Sequence, residues 1–142
     1  MTTSAQLILV PYDCARRGVR MGGGPHALVA AGIAELLDEE EMSWSVAEVA
    51  PEADFQAEIS TAFDLQRGIR REVAAALANG TRPITLSNCN TGVVGSLAAI
   101  GASDIGLIWF DAHFDAETPE SSTSGFLDGM GLGWCSVAAG VR

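Results

Sequence analysis

Ile105-Gly106-Leu107-Ile108-Trp109-Phe110-Asp111-Ala112-His113-Phe114-Asp115 is the stretch on which the reading of this chain turns. Its first six residues are mostly apolar and read as a buried strand. The run passes directly into Asp-x-His-x-Asp. In extended chain, residues i, i+2 and i+4 share one face, so Asp111, His113 and Asp115 are expected to converge on one point. Two hard carboxylates and an imidazole suit a divalent ion such as Mn²⁺. An open parallel α/β sheet keeps its ligand sites at the carboxyl ends of its strands, which is where this triplet falls. The competing reading is that acidic residues just past a strand solvate a loop or cap a helix.

Outward from this stretch, strand and helix patterns alternate. Residues 6–11 form an apolar first strand, followed by a polar loop. Gly22-Gly23-Gly24-Pro25 then opens a helix to about residue 38, with Pro25 in the first turn, where a missing N–H costs nothing. The glycines lack the spacing and the Lys-Ser/Thr of a P-loop and read as a flexible turn. His26 reads first as a surface or packing histidine, with substrate contact as the sharper alternative. Residues 44–49 form a second strand. Residues 60–79 have helical spacing, with Thr61 as a capping residue and Asn79-Gly80 as a left-handed stop. Residues 82–86 form a third strand ending in a polar turn. Residues 93–100 form a small-residue helix, with Gly92, Gly95 and Ala98 allowing close approach. Residues 105–110 would be the fourth strand. A loop to residue 126 carries Glu117 and Glu120, and a last helix begins near Asp128 and runs toward Arg142. About four βα units predict a single α/β domain over residues 1–142, three-layered αβα with a parallel sheet.

Composition narrows the function. The chain has 142 residues, 48% of them hydrophobic, and a formal charge of −10 at pH 7. That length and apolar content support a packed core. The acidic balance argues against nucleic acid, whose phosphates need Lys and Arg, and against anionic membrane surfaces. Cys14, Cys89 and Cys135 are sparse and far apart, so neither a disulfide framework nor a zinc ribbon is expected. No basic segment followed by a long apolar run marks a signal peptide, and no stretch approaches the ~20 apolar residues of a membrane span. A soluble protein of the reducing cytoplasm is the expectation.

Several motifs, in order, resemble the arginase/agmatinase/formiminoglutamase family, the ureohydrolases. Arg17-Gly18-Val19 and Gly24-Pro25 resemble the family's first loop and helix start. Pro83-Ile84-Thr85-Leu86-Ser87-Asn88-Cys89-Asn90 sits where the family has a strand ending in Gly-Gly-Asp-His. Asp111-Ala112-His113-Phe114-Asp115 matches its Asp-Ala-His-x-Asp segment. Thr118-Pro119 and Ser124-Gly125-Phe126-Leu127-Asp128-Gly129-Met130 resemble its Ser-Gly-Asn-x-His-Gly stretch. The resemblance implies the first half of the arginase-like fold and two Mn²⁺ ions. Asp111 would bridge them, and His113 and Asp115 would each bind one. A guanidino or amidino small molecule would be the substrate, with its C–N bond hydrolysed. Asn90 stands at the other histidine ligand's position and Cys89 at the Asp before it. Phe126 replaces a substrate-binding Asn between Ser124 and Asp128, and Asp128 replaces a histidine that handles a proton. The family is about twice as long, and its later Asp-x-Asp has no counterpart here.

Three ligands on one loop do not complete two metals, so a homo-oligomer, a complementary subunit or a missing half is expected to supply the rest. The first functional reading is a divergent metal-dependent hydrolase, with Asp128 and Asp115 catalytic, Asp111, His113, Asp115 and Asn90 on the metal, and Phe126, Ser124 and His26 on the substrate. The alternative is a non-catalytic regulatory or structural subunit of an arginase-like assembly. A third reading is a small-molecule-binding domain in which Asp111 and Asp115 cap loops.

Overall fold

The Leu7-Ile8-Leu9-Val10 run becomes the centre of the sheet. In the computed structural model, which describes residues 3–88, 91–101 and 105–138, strand β1 (Ser4–Val10) leads into a small antiparallel hairpin, β2 (Tyr12–Asp13) with β3 (Arg16–Arg17). Two short helices follow, α1 (Gly24–Ala30) and α2 (Ile33–Glu39), then β4 (Ser43–Glu48). The long helix α3 (Glu58–Ala78) precedes β5 (Arg82–Ser87) and α4 (Thr91–Ile100). A 3-10 turn over Leu127–Met130 opens into α5 (Gly131–Ala138). The sheet is parallel, in the order β4-β1-β5, and Leu7 stands opposite Val46 on one side and Ile84 on the other.

Alternation along β1 builds both cores. Ile8 and Val10 pack with Leu65, Ile69 and Val73 of α3. Ala5, Leu7 and Leu9 face the other way, against Leu37, Leu86 and the half-buried Val29, Ile33 and Met42. This is the pleat's period of two, and it yields the expected three layers of helix, sheet and helix. On α3 the buried residues Leu65, Ile69, Val73 and Ala76 form one stripe at helical spacing. Gly95 lets α4 cross α3 closely: a Cβ there would lie 2.6 Å from the Gln66 carbonyl oxygen.

Element ends separate local chemistry from context. At the end of α3, Gly80 takes φ +67°, its N–H bonds the Leu77 carbonyl at 3.0 Å, and the Thr81 N–H bonds that of Ala76 at 2.9 Å. This is the stop that Asn79-Gly80 predicts. At the start, Thr61 does not cap; α3 begins at Glu58 after Ala57, and Thr61 is buried inside it. The expected single helix over residues 25–38 is two, parted at Gly32 with φ +99°. The Gly22–Gly24 turn is not loose either. A Cβ on Gly22 would come within 3.0 Å of the Asp13 backbone nitrogen, so the glycine packs the loop onto the β2–β3 hairpin. The expected tail of the last helix over residues 139–142 lies outside the described residues.

The largest departure is the fourth strand. Residues 105–110 take no regular structure and join no ladder, so among the described residues the sheet has three strands, not four. Ile108 is 79% exposed and Phe110 94%. Strand propensity expresses a fit to a paired, half-buried surface, and among the described residues this run has no such partner. The segment that follows is anchored. The Leu132 N–H bonds the Asp115 carbonyl at 2.8 Å, and the Glu117 N–H bonds that of Gly129 at 3.0 Å.

Candidate functional site

The carboxyl ends of β1 and β5 supply the site's floor. Just past β5, Asn88 is 3% exposed, and its Nδ2 donates to Oδ2 of Asp128, itself 6% exposed, at 3.0 Å. Asp128 enters from the 3-10 turn, whose first residue follows the extended Phe126. Past β1, the buried carboxylate of Asp13 accepts from Arg20 at 3.1 and 3.2 Å and from the Met21 N–H at 3.3 Å. That clasp fixes the loop carrying Met21 at the rim of an open cleft.

The cleft has a volume of about 910 Å³, and His113, Asp115, Ser124, Phe126 and Asp128 line it. Five of the residues singled out by sequence therefore share one cavity, although residues 105–110 do not form the strand meant to deliver them. Ser124 accepts the Phe126 N–H on its hydroxyl oxygen at 3.2 Å, which leaves its own proton to donate.

Asp111 does not line the cleft. Its Oδ1 accepts the His113 N–H at 2.9 Å and lies 3.5 Å from His113 Nδ1. The shared face expected of Asp111, His113 and Asp115 needs extended backbone, whereas the chain bends at residues 112–113 and Asp115 has φ +48°. The His113 backbone N–H holds the Asp111 carboxyl below its ordinary range; slight burial opposes this, and the imidazole adds to it. Asp115 Oδ2 is buried without a hydrogen-bond partner, an acceptor that would welcome a cation or a donor. Among the described residues, however, no group of three or more His, Cys, Asp and Glu side chains could hold a metal ion. As arranged, these donors do not fit the ion. Asn90 and Cys89 lie outside the described residues.

His26 stands away from the cleft, its Nε2 3.4 Å from Glu48 Oε2, and Arg17 pairs with the same carboxylate. Asn88 carried no assigned role in the sequence reading. Its one signal is a polar amide directly after an apolar strand, and only the fold brings Asp128 to it. Cys14 and Cys135 are free thiols, and burial pushes both pKa values up. No helix of the described residues is long and apolar enough to cross a membrane.

Known proteins match this arrangement. A model of the arginase family matches residues 3–141. The arginase of Staphylococcus aureus (strain MRSA252) is 29% identical, over 89% of this chain and 46% of its own length. A crystal structure of Bacillus subtilis arginase superposes with a TM-score of 0.79 at 27% identity, covering 92% of this chain and 47% of that one. The Bacillus caldovelox arginase structure gives 0.77 at 26%, covering 99% and 53%. The chain thus spans about half the length of the arginases it matches.

Proposed function

The chain belongs to the arginase family, and on that premise we propose that it serves as a ureohydrolase-type enzyme, hydrolysing a C–N bond of a guanidino or amidino compound. Further polypeptide would complete its site, either the second half of the fold or a partner subunit.

The observation that carries this reading is Asp128, a carboxylate held by Asn88 at 3.0 Å on the wall of the cleft that His113 and Asp115 share. A planar amidinium would be drawn to Asp128 by charge and would lie against the Phe126 ring, whose face attracts cations. The Ser124 hydroxyl would donate to the substrate. Asp128 and Asp115 would move the protons that hydrolysis requires, a role geometry admits where a carboxylate reaches the reacting group directly or through one water. His26 would reach substrate only by leaving Glu48.

Asp111, His113, Asp115 and Asn90 are the chain's proposed metal donors. Their chemistry suits Mn²⁺, and binding would have to draw them together.

The test is elemental analysis after Mn²⁺ loading and desalting, beside an assay of urea and amine release from a panel of guanidines and amidines. Joined by the polypeptide that completes the site, the wild type and Asp128→Asn should retain Mn²⁺, and Asp111→Ala should not. Turnover should fall by about 10²-fold or more in Asp128→Asn. No retained Mn²⁺ and no turnover even with that further polypeptide present would instead favour a non-catalytic regulatory or structural subunit.

A further inference from the structure

We propose, resting on the hydrolase reading, that Met21 is a specificity-determining residue and that Arg20 and Asp13 position it. Met21 reads the part of the substrate beyond its cation, so the cleft takes guanidino or amidino compounds with an apolar body. Met21 lines the cleft together with Phe126 and Asp128 and is half exposed. Asp128 offers a carboxylate to the cation. Met21 and Phe126 offer the rest of the molecule an adaptable thioether and a ring, both suited to apolar surface.

The loop before α1 holds Met21 in place. Arg20 has φ +45°, a conformation disfavoured for arginine that persists only where surrounding bonds impose it. Those bonds come from Asp13, which is 2% exposed. Its Oδ2 accepts from Arg20 Nε at 3.1 Å and its Oδ1 from Nη2 at 3.2 Å, a two-point grip that a planar guanidinium makes and an ammonium does not. Oδ2 also accepts the Met21 N–H at 3.3 Å. One buried carboxylate therefore fixes the side chain of Arg20 and the backbone of Met21 together. The Gly18 N–H bonds the Pro11 carbonyl at 2.8 Å, and the Gly22 N–H bonds that of Val19 at 2.8 Å. All these bonds are made within this chain, whatever polypeptide completes the site.

Backbone strain gathers around the same place. Among the described residues, positive φ outside glycine falls at Cys14, Ala15, Arg20, Glu41 and Asp115. Asp115 lies in the cleft and Arg20 precedes Met21, while Cys14 and Ala15 border a smaller pocket that Phe126 and Asp128 also line. Strain gathered about one cavity points to a function there. The Arg20 side chain is 62% exposed, so water screens the pair on one side, and its clearest effect is on the residue that follows. A contact fixed before binding loses less freedom when a ligand arrives. Met21 thus contributes discrimination that a mobile methionine would not.

The test is equilibrium binding of acetamidine and benzamidine, one cation with a methyl or a phenyl body, to the chain joined by the polypeptide that completes the site. The wild type should bind benzamidine about tenfold or more tighter than acetamidine. Met21→Ala should lose most of that preference and keep its affinity for acetamidine. Arg20→Gln should lose the preference too, and Arg20→Lys, which keeps the charge without the fork, should behave like it. The double variant Arg20→Gln with Met21→Ala should be no worse than Met21→Ala alone, because Arg20 acts through Met21. A preference that survives Met21→Ala or Arg20→Gln overturns the proposal, and so do losses that add in the double variant, as a merely structural clasp would give. If the Arg20 variants do not fold, backbone order at Met21 in the wild type decides the clasp: an NMR order parameter near ~0.85 supports it, and one below about 0.6 overturns it. Equal binding of the two amidines sinks this proposal and leaves the hydrolase reading standing, whereas binding of neither sinks both.

Discussion

Asn88 and Asp128 are forty positions apart, and no spacing rule links them. The amide can donate to a buried carboxylate, and this match of donor to acceptor makes the pair tolerable in a core. Its Oδ1 has no partner, so truncation removes one costly orphan while leaving Asp128 short of a donor. Asn88→Ala should therefore destabilise by about 1–2 kcal/mol. Asn88→Asp should cost more, because it sets two carboxylates face to face in a buried place. Urea melts would order the variants, and the gap should close on acidification, when one carboxyl can donate to the other. Asp111 is the exposed counterpart. Its pKa is lowered chiefly by the His113 N–H, so the clasp is present above the ordinary Asp value and opens as pH falls through the depressed one. Carboxyl ¹³C shifts of the metal-free chain should titrate Asp111 below an ordinary aspartate. A midpoint at or above the ordinary value would contradict the clasp. Residue types were legible at both places; the acceptors and donors they meet were not.

At the scale of elements, the chain's local signals fared best where they are self-contained. The Asn79-Gly80 stop, Pro25 in the first turn of its helix and the alternation of β1 all took form as read, since each depends on neighbours in sequence. Gly95 depends on a neighbour in space. Alanine there gains about 1 kcal/mol of helix propensity but drives a Cβ to 2.6 Å from the Gln66 backbone oxygen and 2.8 Å from Ile69 Cβ. Neither atom is the end of a mobile side chain, so steric cost should win, and Gly95→Ala should destabilise by about 1–3 kcal/mol. A melt equal to or above the wild type's would mean that α3 and α4 can part cheaply. Residues 105–110 mark the limit of local reading. Their composition is that of a strand, but a strand exists only where a ladder receives it.

For the whole molecule, the excess of acidic over basic residues opposes compactness. With a formal charge of −10, self-repulsion in the folded state should be relieved by salt. The thermal midpoint should rise by a few degrees between low and moderate ionic strength, as followed by circular dichroism. A midpoint indifferent to salt would mean that the exposed pairs, such as Arg71 with Glu52 at 2.7 Å, already offset the excess locally. By itself the sequence determined the class of fold, the parallel α/β plan and the family, because apolar periodicity, capping chemistry and short motifs are properties of neighbouring residues. Only the tertiary structure decided that residues 105–110 join no ladder among the described residues, that Asp111 clasps His113 outside the cleft, and that Asn88 reaches Asp128. Each of these is settled by which distant group comes within hydrogen-bonding or ladder distance, and that proximity follows from packing rather than from local pattern.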